Sequence, residues 1–338
     1  MSADPVVRSF QPGERDALLE MKCAIWPHVV LENERRRWDW QFDENPSYDP
    51  EHPTALVLEV GGKLAGFFTL IPHRVHLGDA LGLACDGVDF CVDDAYRGQG
   101  LSKLLVERWM DPATCDFSFT TTPSSVAIHV MTGCGGQLLG STNETVAHAW
   151  FVDGAHDAPP DVPLDDVKEV EAYGDDWDQL WERIRKHHPL CLVRDALYLN
   201  WRHRDFPFQK SVLLESRDAS GALTGAAVVQ VDRESDRLYL CELLTEPTAP
   251  HAWRGLVRRA VGIAKSSGHQ LLALATRSVR EAGWAGEEGF EPLPGDVPKF
   301  LGKVNPPSAS VAVTDWFVTL GDGDQLYNVG EPKEDNRG

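Results

Sequence analysis

A chain of 338 residues is longer than one ordinary domain core, and its length suits two domains. Its 42% hydrophobic and 25% charged residues indicate a folded globular protein, and no stretch reaches the roughly 20 apolar residues of a membrane-spanning helix. The formal net charge of −20, with no basic cluster to reverse it, argues against nucleic-acid binding. That charge fits an acidic, soluble surface better than an amine-attracting cleft, because net charge alone does not locate a cleft.

The first residues lack the basic and apolar regions of a signal peptide, so we expect none. The seven cysteines are scattered and form no Cys-x-x-Cys pair, which predicts neither a zinc site nor a disulfide framework. No set of side chains has metal-ligand spacing, so no metal is expected. These features favour a cytoplasmic protein without membrane association, as a monomer or homodimer.

Two parts of the chain repeat the same order of predicted elements. In each part, a segment of helical character ends on a tryptophan that stands six residues before a proline: Trp40 before Pro46, and Trp201 before Pro207. In the second of these segments, Asp175 or Asp176 is a candidate N-cap. Apolar residues follow it at helical spacing, namely Trp177, Leu180, Trp181 and Ile184.

A β-hairpin is predicted after each proline, turning at Gly61-Gly62 in the first part and around Asp218 to Gly221 in the second. A third strand, a helix, another strand and another helix follow in both parts. We therefore predict an α/β fold of two related halves, each a mixed, mostly antiparallel sheet flanked by helices.

The expected boundaries follow from composition. Residues 1–153 form the first domain, and residues 154–166 are a linker because their proline and aspartate density disfavours helix and strand. Residues 167–325 form the second domain, and residues 326–338 are expected to be a flexible tail.

The segment from Phe90 to Trp109 is the most informative part of the sequence. A strand ends at Val92, residues 97–102 read Arg-Gly-Gln-Gly-Leu-Ser, and an apolar helical stripe follows. A glycine-bearing turn between a strand and a helix N-terminus is suited to anions, because backbone N–H groups converge there and glycine allows close approach. The segment lacks the Gly-Lys-Ser/Thr of a Walker loop and the spacing of the dinucleotide fingerprint. An ordinary strand-to-helix turn remains the alternative.

Residues 94–101, Asp-Ala-Tyr-Arg-Gly-Gln-Gly-Leu, resemble motif A of the GNAT superfamily of N-acetyltransferases. Arg97 and Gly100 match its first two fixed positions, while Ser102 stands where glycine or alanine is usual. The resemblance extends well over residues 5–152 and weakly over about 165–322, which is similar to the tandem members of the superfamily. It implies two GNAT-like halves and an acyl-CoA co-substrate, most simply acetyl-CoA. The pyrophosphate would be bound by a site formed by Val92, Arg97, Gly98, Gln99, Gly100, Leu101 and Ser102.

The implied reaction is direct attack of a small-molecule amine on the thioester, which needs a base for the ammonium proton and an acid for the leaving thiolate. Asp86, on the strand that leads into the loop, is the preferred base. Simple alternation places Asp89 on the opposite strand face, although a bulge would invert that assignment. The alternative for both is a solvated or N–H-capping carboxylate.

The acid is less clear, because the helix after the fifth strand has no tyrosine where many family members place one. His129 lies there and could titrate near neutral pH, but a lone helix histidine is more often structural. In the second half, residues 245–251 contain no glycine and two prolines, so we expect that half to bind no CoA. A non-catalytic acyl-CoA-binding or structural module remains the alternative to an N-acyltransferase.

Overall fold

The computed structural model describes residues 4–139, 146–151, 166–232, 237–292, 299–305 and 311–323. Its strands are β1 (Pro5–Ser9), β2 (Ala55–Val60), β3 (Lys63–Leu77), β4 (Ala80–Val92), β5 (Phe117–Thr121), β6 (Gln137–Leu139), β7 (Val146–Phe151), β8 (Asp166–Val170), β9 (Leu190–Leu192), β10 (Val212–Arg217), β11 (Leu223–Asp232), β12 (Arg237–Thr245), β13 (Leu271–Thr276), β14 (Glu291–Pro292), β15 (Phe300–Val304) and β16 (Trp316–Phe317). Its α-helices are α1 (Arg15–Ile25), α2 (Leu31–Gln41), α3 (Ser102–Trp109), α4 (Ser125–Gly133), α5 (Asp175–Ile184), α6 (Ala196–Leu199), α7 (Pro250–Ser266) and α8 (Val279–Glu287).

The chain divides into two compact units. The first contains the described residues up to Leu138 together with those between 300 and 313, and the second contains the described residues of 139–299 and 314–323. Each unit has a mixed sheet flanked by helices, which confirms the predicted fold class.

The sheet of the first unit has the strand order β1-β2-β3-β4-β5-β15-β6. Strands β1 to β4 are antiparallel neighbours, and the hairpin between β2 and β3 turns at Gly61 and Gly62 as predicted. The pairing of β4 with β5 is parallel, which requires a crossover connection, and α3 supplies it.

Helix α3 is fixed tightly against the sheet of the first unit. Leu105, Val106 and Trp109 are fully buried in one apolar cluster with residues of β2, β3 and β4. The indole N–H of Trp109 donates a hydrogen bond to the carbonyl oxygen of Cys85 at 3.2 Å. A Cβ atom at Gly87 would lie 2.5 Å from the ring of Phe68 on β3 and 3.0 Å from the ring of Trp109 on α3, so only glycine leaves room for both rings.

The sheet of the second unit has the order β14-β7-β13-β12-β11-β10-β8, and its one parallel pair among the described strands is β12 with β13. The predicted apolar face of α5 is buried, as expected from its spacing. The expectation that Asp175 or Asp176 caps this helix was wrong. The N-cap is Gly174. Both carboxylates lie in the first turn, where their negative charge interacts favourably with the positive end of the helix dipole.

Two strands lie in a different unit from the one that their chain position suggests. Strand β7 pairs with β13 in the second unit, and β15 pairs with β5 in the first. The division therefore differs from the contiguous boundaries expected at 1–153 and 167–325, because pairing between distant segments leaves no local sequence signal. The expected linker (154–166) lies outside the described residues apart from Asp166, the first residue of β8, and the expected tail (326–338) lies entirely outside them.

Within the described ranges, no helix has both the length and the hydropathy needed to cross a bilayer. The same residues contain no cluster of three or more His, Cys, Asp or Glu side chains suited to a metal ion.

Candidate active site

The predicted anion loop follows directly from the end of β4. Asp93 caps a single 3₁₀ turn, Asp94–Tyr96, by accepting a hydrogen bond from the N–H of Ala95 at 2.8 Å. The N–H of Arg97 returns to the carbonyl of Asp94, after which the chain leads into α3. Strand, turn and helix therefore succeed one another in the order expected from the sequence.

Gly98 and Gly100 shape the loop. Both have φ = +75°, a left-handed conformation that residues with a side chain adopt only at a cost. A Cβ atom built on either glycine would meet nothing within 4 Å. The loop backbone is therefore exposed at both glycines, and they serve the conformation of the loop rather than core packing.

Five consecutive backbone N–H groups, those of residues 98–102, have no hydrogen-bond acceptor among the described residues. The next two, of Lys103 and Leu104, donate to the carbonyls of Gly100 and Leu101 at 3.2 and 3.1 Å. Converging N–H groups at the positive end of a helix dipole form an anion site. The loop therefore has N–H donors available at the start of α3, and its use as an anion site stays a prediction.

The side chains of Arg97 and Gln99 form contacts within the loop and with the end of β4. The guanidinium of Arg97 pairs with the carboxylate of Asp94 at 2.5 Å and donates to the carbonyl of Val92 at 3.0 Å. The amide of Gln99 reaches the carbonyl of Ala95 at 3.4 Å. All seven expected cofactor residues thus lie together, with Arg97 also holding the loop to the strand.

The parallel strands β4 and β5 part at Asp86. Their pairing ends at Asp86 with Phe119, after which β4 continues to Val92, while β5 pairs with β15 along its whole length at its other edge. The hydroxyl of Thr120 donates to the carbonyl of Gly87 at 2.7 Å across the start of the opening. We call this opening the β4–β5 gap. A strand edge of this kind can receive an extended ligand that carries amide groups.

Asp86 is fully buried at the base of the β4–β5 gap. It lies opposite Ile71 on β3, and directly paired residues share a face of the sheet. The neighbouring Cys85 belongs to the apolar cluster that packs on α3, so Asp86 lies on the other face, away from α3. The preferred base is therefore on the strand that carries the anion loop, where the two strands separate.

Asp89 lies in a β-bulge. Phe67 pairs with Cys91 while Thr69 pairs with Val88, so two residues of β4 stand opposite Phe68. Asp89 has φ = +53°, an unusual value outside glycine that aspartate tolerates better than most residues. The bulge that the sequence left open is present, and simple alternation does not apply here.

The carboxylate of Asp89 is held by two cations. Its oxygens lie 2.5 Å from Nη2 of Arg37 and 2.8 Å from Nζ of Lys22. Burial acts to raise the pKa of Asp89, but the charges of Arg37 and Lys22 outweigh burial and lower the pKa to about 2. A carboxylate this weakly basic is poorly suited to accept a proton near neutral pH, and its observed role is to fix the bulge to α1 and α2.

Sequence reasoning missed these partners of Asp89. Lys22 and Arg37 are almost wholly buried, and Glu34 completes the cluster with an oxygen 2.5 Å from Nζ of Lys22. In the sequence, these residues look like ordinary solvent-exposed charged residues of surface helices. The one available signal was their three-residue and four-residue spacing beside apolar residues, which does not distinguish a buried ion cluster from a solvated face.

His129 lies on α4, exposed, and its ring has no hydrogen-bond partner among the described residues. Helix α4 begins shortly after β5 ends, with Ser124 capping it, so its placement after the fifth strand is as expected. The structure brings Asp86 and the anion loop onto one strand, whereas nothing in the described contacts links His129 to either.

In the second unit, the loop between β12 and α7 has the position that the anion loop has in the first unit, but its residues differ in chemistry. Helix α7 begins at Pro250, and the N–H of Ala249 is used by the carbonyl of Glu246 at 2.9 Å. Pro247 and Pro250 have no N–H to donate. Fewer N–H groups are therefore available to an anion here than in the loop of the first unit.

The comparison with known protein families finds a match in the first unit. Residues 15–135 match the family model described as "Acetyltransferase (GNAT) family". This segment is therefore similar to a GNAT domain. It contains Asp86, the β4 bulge and the whole anion loop, so the site described above lies within the matched residues. A search of curated proteins found no significant match.

Solved structures resemble nearly the whole chain in fold. A probable N-acyltransferase from Enterococcus faecalis V583 has a TM-score of 0.64 at 11% identity, covering 89% of this chain and 72% of that one. Saccharomyces cerevisiae N-myristoyltransferase with bound myristoyl-CoA has 0.54 at 12%, covering 93% and 84%. A tandem GNAT protein from the clavulanic acid biosynthesis pathway has 0.52 at 11%, covering 90% and 99%. At identities this low, the structural similarity shows the fold alone. The matched residues cover about nine tenths of this chain and so extend over both units.

Proposed function

We propose that the chain is an acyl-CoA-dependent N-acyltransferase that transfers an acetyl group to the primary amine of a small molecule. The observation that carries this proposal is the run of five N–H groups without acceptors at residues 98–102, on a loop opened by two left-handed glycines. In a GNAT domain, the pyrophosphate of CoA is the anion that such a loop would receive.

The pyrophosphate would accept hydrogen bonds from the amides of residues 98–102, and the dipole of α3 adds positive character there. The pantetheine arm, which carries amide groups, would extend along the exposed edge of β4 in the β4–β5 gap. In this arrangement the thioester would lie towards the base of the gap, where β4 carries Asp86.

Asp86 is proposed as the base. It would take a proton from the substrate ammonium, directly or through a water molecule, so that the neutral amine can attack the thioester carbonyl carbon. The C–N bond forms, the C–S bond breaks, the attacking nitrogen releases its second proton to solvent, and the thiolate of CoA takes up a proton. Asp89 is not proposed for this step, because Arg37 and Lys22 hold its pKa at about 2. Solvent can supply the thiolate proton, since the His129 ring has no hydrogen-bonded connection to the site within the described contacts.

The acyl group is proposed to be acetyl because that is the simplest case for a GNAT domain. The yeast neighbour binds myristoyl-CoA, so transfer of a longer acyl chain is the alternative within the same reaction class. A titration with acetyl-CoA and myristoyl-CoA in parallel distinguishes these two donors.

Calorimetric titration of Gly100→Val with acetyl-CoA tests the proposal. Two lost charge-assisted hydrogen bonds weaken affinity by about a hundredfold or more. Gly268→Val is the matched control, because Gly268 has φ = +77° and equally open space but lies after α7 in the second unit. The control variant carries the same backbone strain and should bind acetyl-CoA normally. Equal affinities for the two variants would remove the loop from cofactor binding.

Turnover is tested separately from binding. Helix α4 lacks a tyrosine, which is the observation that favours a non-catalytic acyl-CoA-binding module. Release of CoA thiol with a panel of primary amines supports the transferase, whereas tight acetyl-CoA binding with no thiol release above the buffer rate supports the module.

A further inference from the structure

Two cysteine thiols of the first unit lie in contact inside its core. Cys85 belongs to β4, and Cys115 lies in the turn that leads from α3 into β5. Both are free cysteines, and both belong to the apolar cluster that includes the buried face of α3. The thiol of Cys85 is hydrogen-bonded to the thiol of Cys115. We call these two residues the Cys85–Cys115 pair.

Backbone pairing between β4 and the start of β5 holds the two thiols together. The N–H of Asp116 donates to the carbonyl of Leu83 at 2.9 Å, and the N–H of Leu83 donates to the Asp116 carboxylate at 2.9 Å. Two residues further along both segments, Cys85 pairs with Ser118. The Sγ atom of Cys115 lies 3.3 Å from the Oγ atom of Ser118. The sulfur of Cys115 is therefore fixed beside the residue that pairs directly with Cys85.

The two thiols differ in acidity. The hydrogen bond from Cys85 lowers the pKa of Cys115 and outweighs the effect of burial. The same hydrogen bond, together with burial, raises the pKa of Cys85 well above its ordinary value. A thiolate is the form that attacks an oxidant or a disulfide. Cys115 is therefore the nucleophile of the pair, and Cys85 is the thiol that reacts with the product.

The surroundings of Cys115 give a small oxidant a route to its sulfur. Pro112 and Ala113, in the same turn, are exposed, whereas Cys85 lies on a strand inside the sheet. Cys115 keeps 4% of its surface exposed, against 1% for Cys85. Surface turns open locally at a lower free energy than the core strands that they adjoin. Hydrogen peroxide, which is little larger than water, would reach Cys115 during such an opening.

We propose that the Cys85–Cys115 pair is a redox-active dithiol, which hydrogen peroxide oxidises to a reversible disulfide. The Cys115 thiolate attacks one oxygen of the peroxide, the O–O bond breaks, and the released hydroxide takes up a proton to give water. The sulfur of Cys85 then attacks the sulfenic acid of Cys115, the S–S bond forms, and the S–O bond breaks to release a second water molecule. The two thiols lose two electrons and two protons, and one peroxide is reduced to two water molecules.

The disulfide would close a loop that contains the proposed anion site. The chain from Cys85 to Cys115 includes the end of β4, the anion loop and the whole of α3. A disulfide that closes such a loop limits the freedom of the unfolded chain and so favours the folded state. Oxidation would therefore stabilise the first unit, and reduction by an excess of a small thiol would reverse the effect. This role does not depend on the proposed acyl transfer.

Mass spectrometry of the full chain tests the proposal. Cys23 and Cys134, which are partly exposed, are first replaced by serine, so that the remaining cysteines are buried. The chain is treated with millimolar hydrogen peroxide without denaturant, then unfolded and alkylated with iodoacetamide. We expect the number of alkylated cysteines to fall by two, with one crosslink between Cys85 and Cys115, and to recover fully after dithiothreitol. The oxidised chain should also have a higher urea midpoint than the reduced chain.

Single variants in this background separate the roles of the two sulfurs. In Cys85→Ser the sulfenic acid of Cys115 has no partner thiol, so dimedone should label Cys115. Where Cys85→Ser fails to fold, Cys115→Ser replaces it and should lose no thiol to oxidation. Cys241→Ser is the matched control, because Cys241 is as deeply buried as Cys85 but lies in the second unit. This control variant should form the crosslink between Cys85 and Cys115 in unchanged yield.

Three results would overturn the proposal. These are complete alkylation of both cysteines after prolonged peroxide treatment, a disulfide that joins either of them to a different cysteine, and a crosslink that forms only in urea. An unchanged urea midpoint in the crosslinked chain would contradict the stabilising role of the bond. Each measurement is made without acyl-CoA, so its outcome is independent of whether the chain transfers an acyl group.

Discussion

Replacing Asp89 by asparagine removes one buried charge and leaves the backbone conformation accessible. Asparagine tolerates a positive φ as readily as aspartate does, so the substitution isolates electrostatics from strain at φ = +53°. Lys22 and Arg37 would still share the carboxylate of Glu34, but they would lose the charge of Asp89. Uncompensated buried charge is destabilising, so we expect Asp89→Asn to fold with a lower free energy of unfolding.

The size of the effect follows from the pKa of Asp89. Its fall from 3.8 to about 2 on folding corresponds to about 2–3 kcal/mol of stabilisation at neutral pH. Because the folded-state pKa is depressed, this contribution is present above pH 3.8 and is lost as the pH falls towards 2. At pH 3, about 1 kcal/mol of it should already be gone. The difference between wild type and Asp89→Asn should therefore be constant from pH 7 to 5 and shrink below pH 4.

Urea denaturation followed by circular dichroism across this pH range measures the difference. Asp16→Asn is the control, because Asp16 forms an exposed pair with Arg35 on the same helix pair and its loss should leave the midpoint nearly unchanged. A pH-independent difference, or none at all at pH 7, would refute the assignment of Asp89 as a clamped structural carboxylate.

Three further expectations concern the two units. Asp86→Asn should lower kcat strongly while the Kd for acetyl-CoA changes by less than about twofold, and an unaltered pH–rate profile would exclude Asp86 as the base. Calorimetry should give one acetyl-CoA equivalent per chain, and two equivalents would contradict the reasoning about the loop before α7. Glu242→Gln should lower the free energy of unfolding by about 2 kcal/mol or more, because Glu242 and its partner Arg194 are fully buried. Glu246 is a partly exposed partner of Arg183, so Glu246→Gln is the control, and an equal loss of stability in it would contradict the argument.

Local sequence patterns predicted those parts of the fold that depend on residues close together in the chain. The hairpin at Gly61-Gly62 and the buried face of α5 follow from turn residues and helical spacing, and the structure has both. The order strand, glycine loop, helix at residues 90–109 is also visible in the sequence, because glycines and the apolar stripe lie within one short window.

Features that depend on distant residues could not be predicted in this way. The bulge at Asp89 depends on the register between β3 and β4, and its ion partners come from α1 and α2. The placement of β7 and β15 depends on which strand edges are available once the rest of each sheet has formed. Neither leaves a periodic signal, because the partners are far apart in the chain. The role of Asp86 stays a prediction, supported by its position where β4 and β5 part.

The central claim is that the amides of residues 98–102 bind the pyrophosphate of acyl-CoA. Nuclear magnetic resonance of the chain labelled with ¹⁵N-glycine tests it most directly, with the signals of Gly98 and Gly100 assigned by single Gly→Ala variants. Saturation with acetyl-CoA should shift both amide signals and slow their exchange with water, because each N–H gains a phosphate acceptor, while the signal of Gly268 should stay unchanged. Binding of acetyl-CoA that leaves the Gly98 and Gly100 amides unshifted and exchanging as before would contradict the claim.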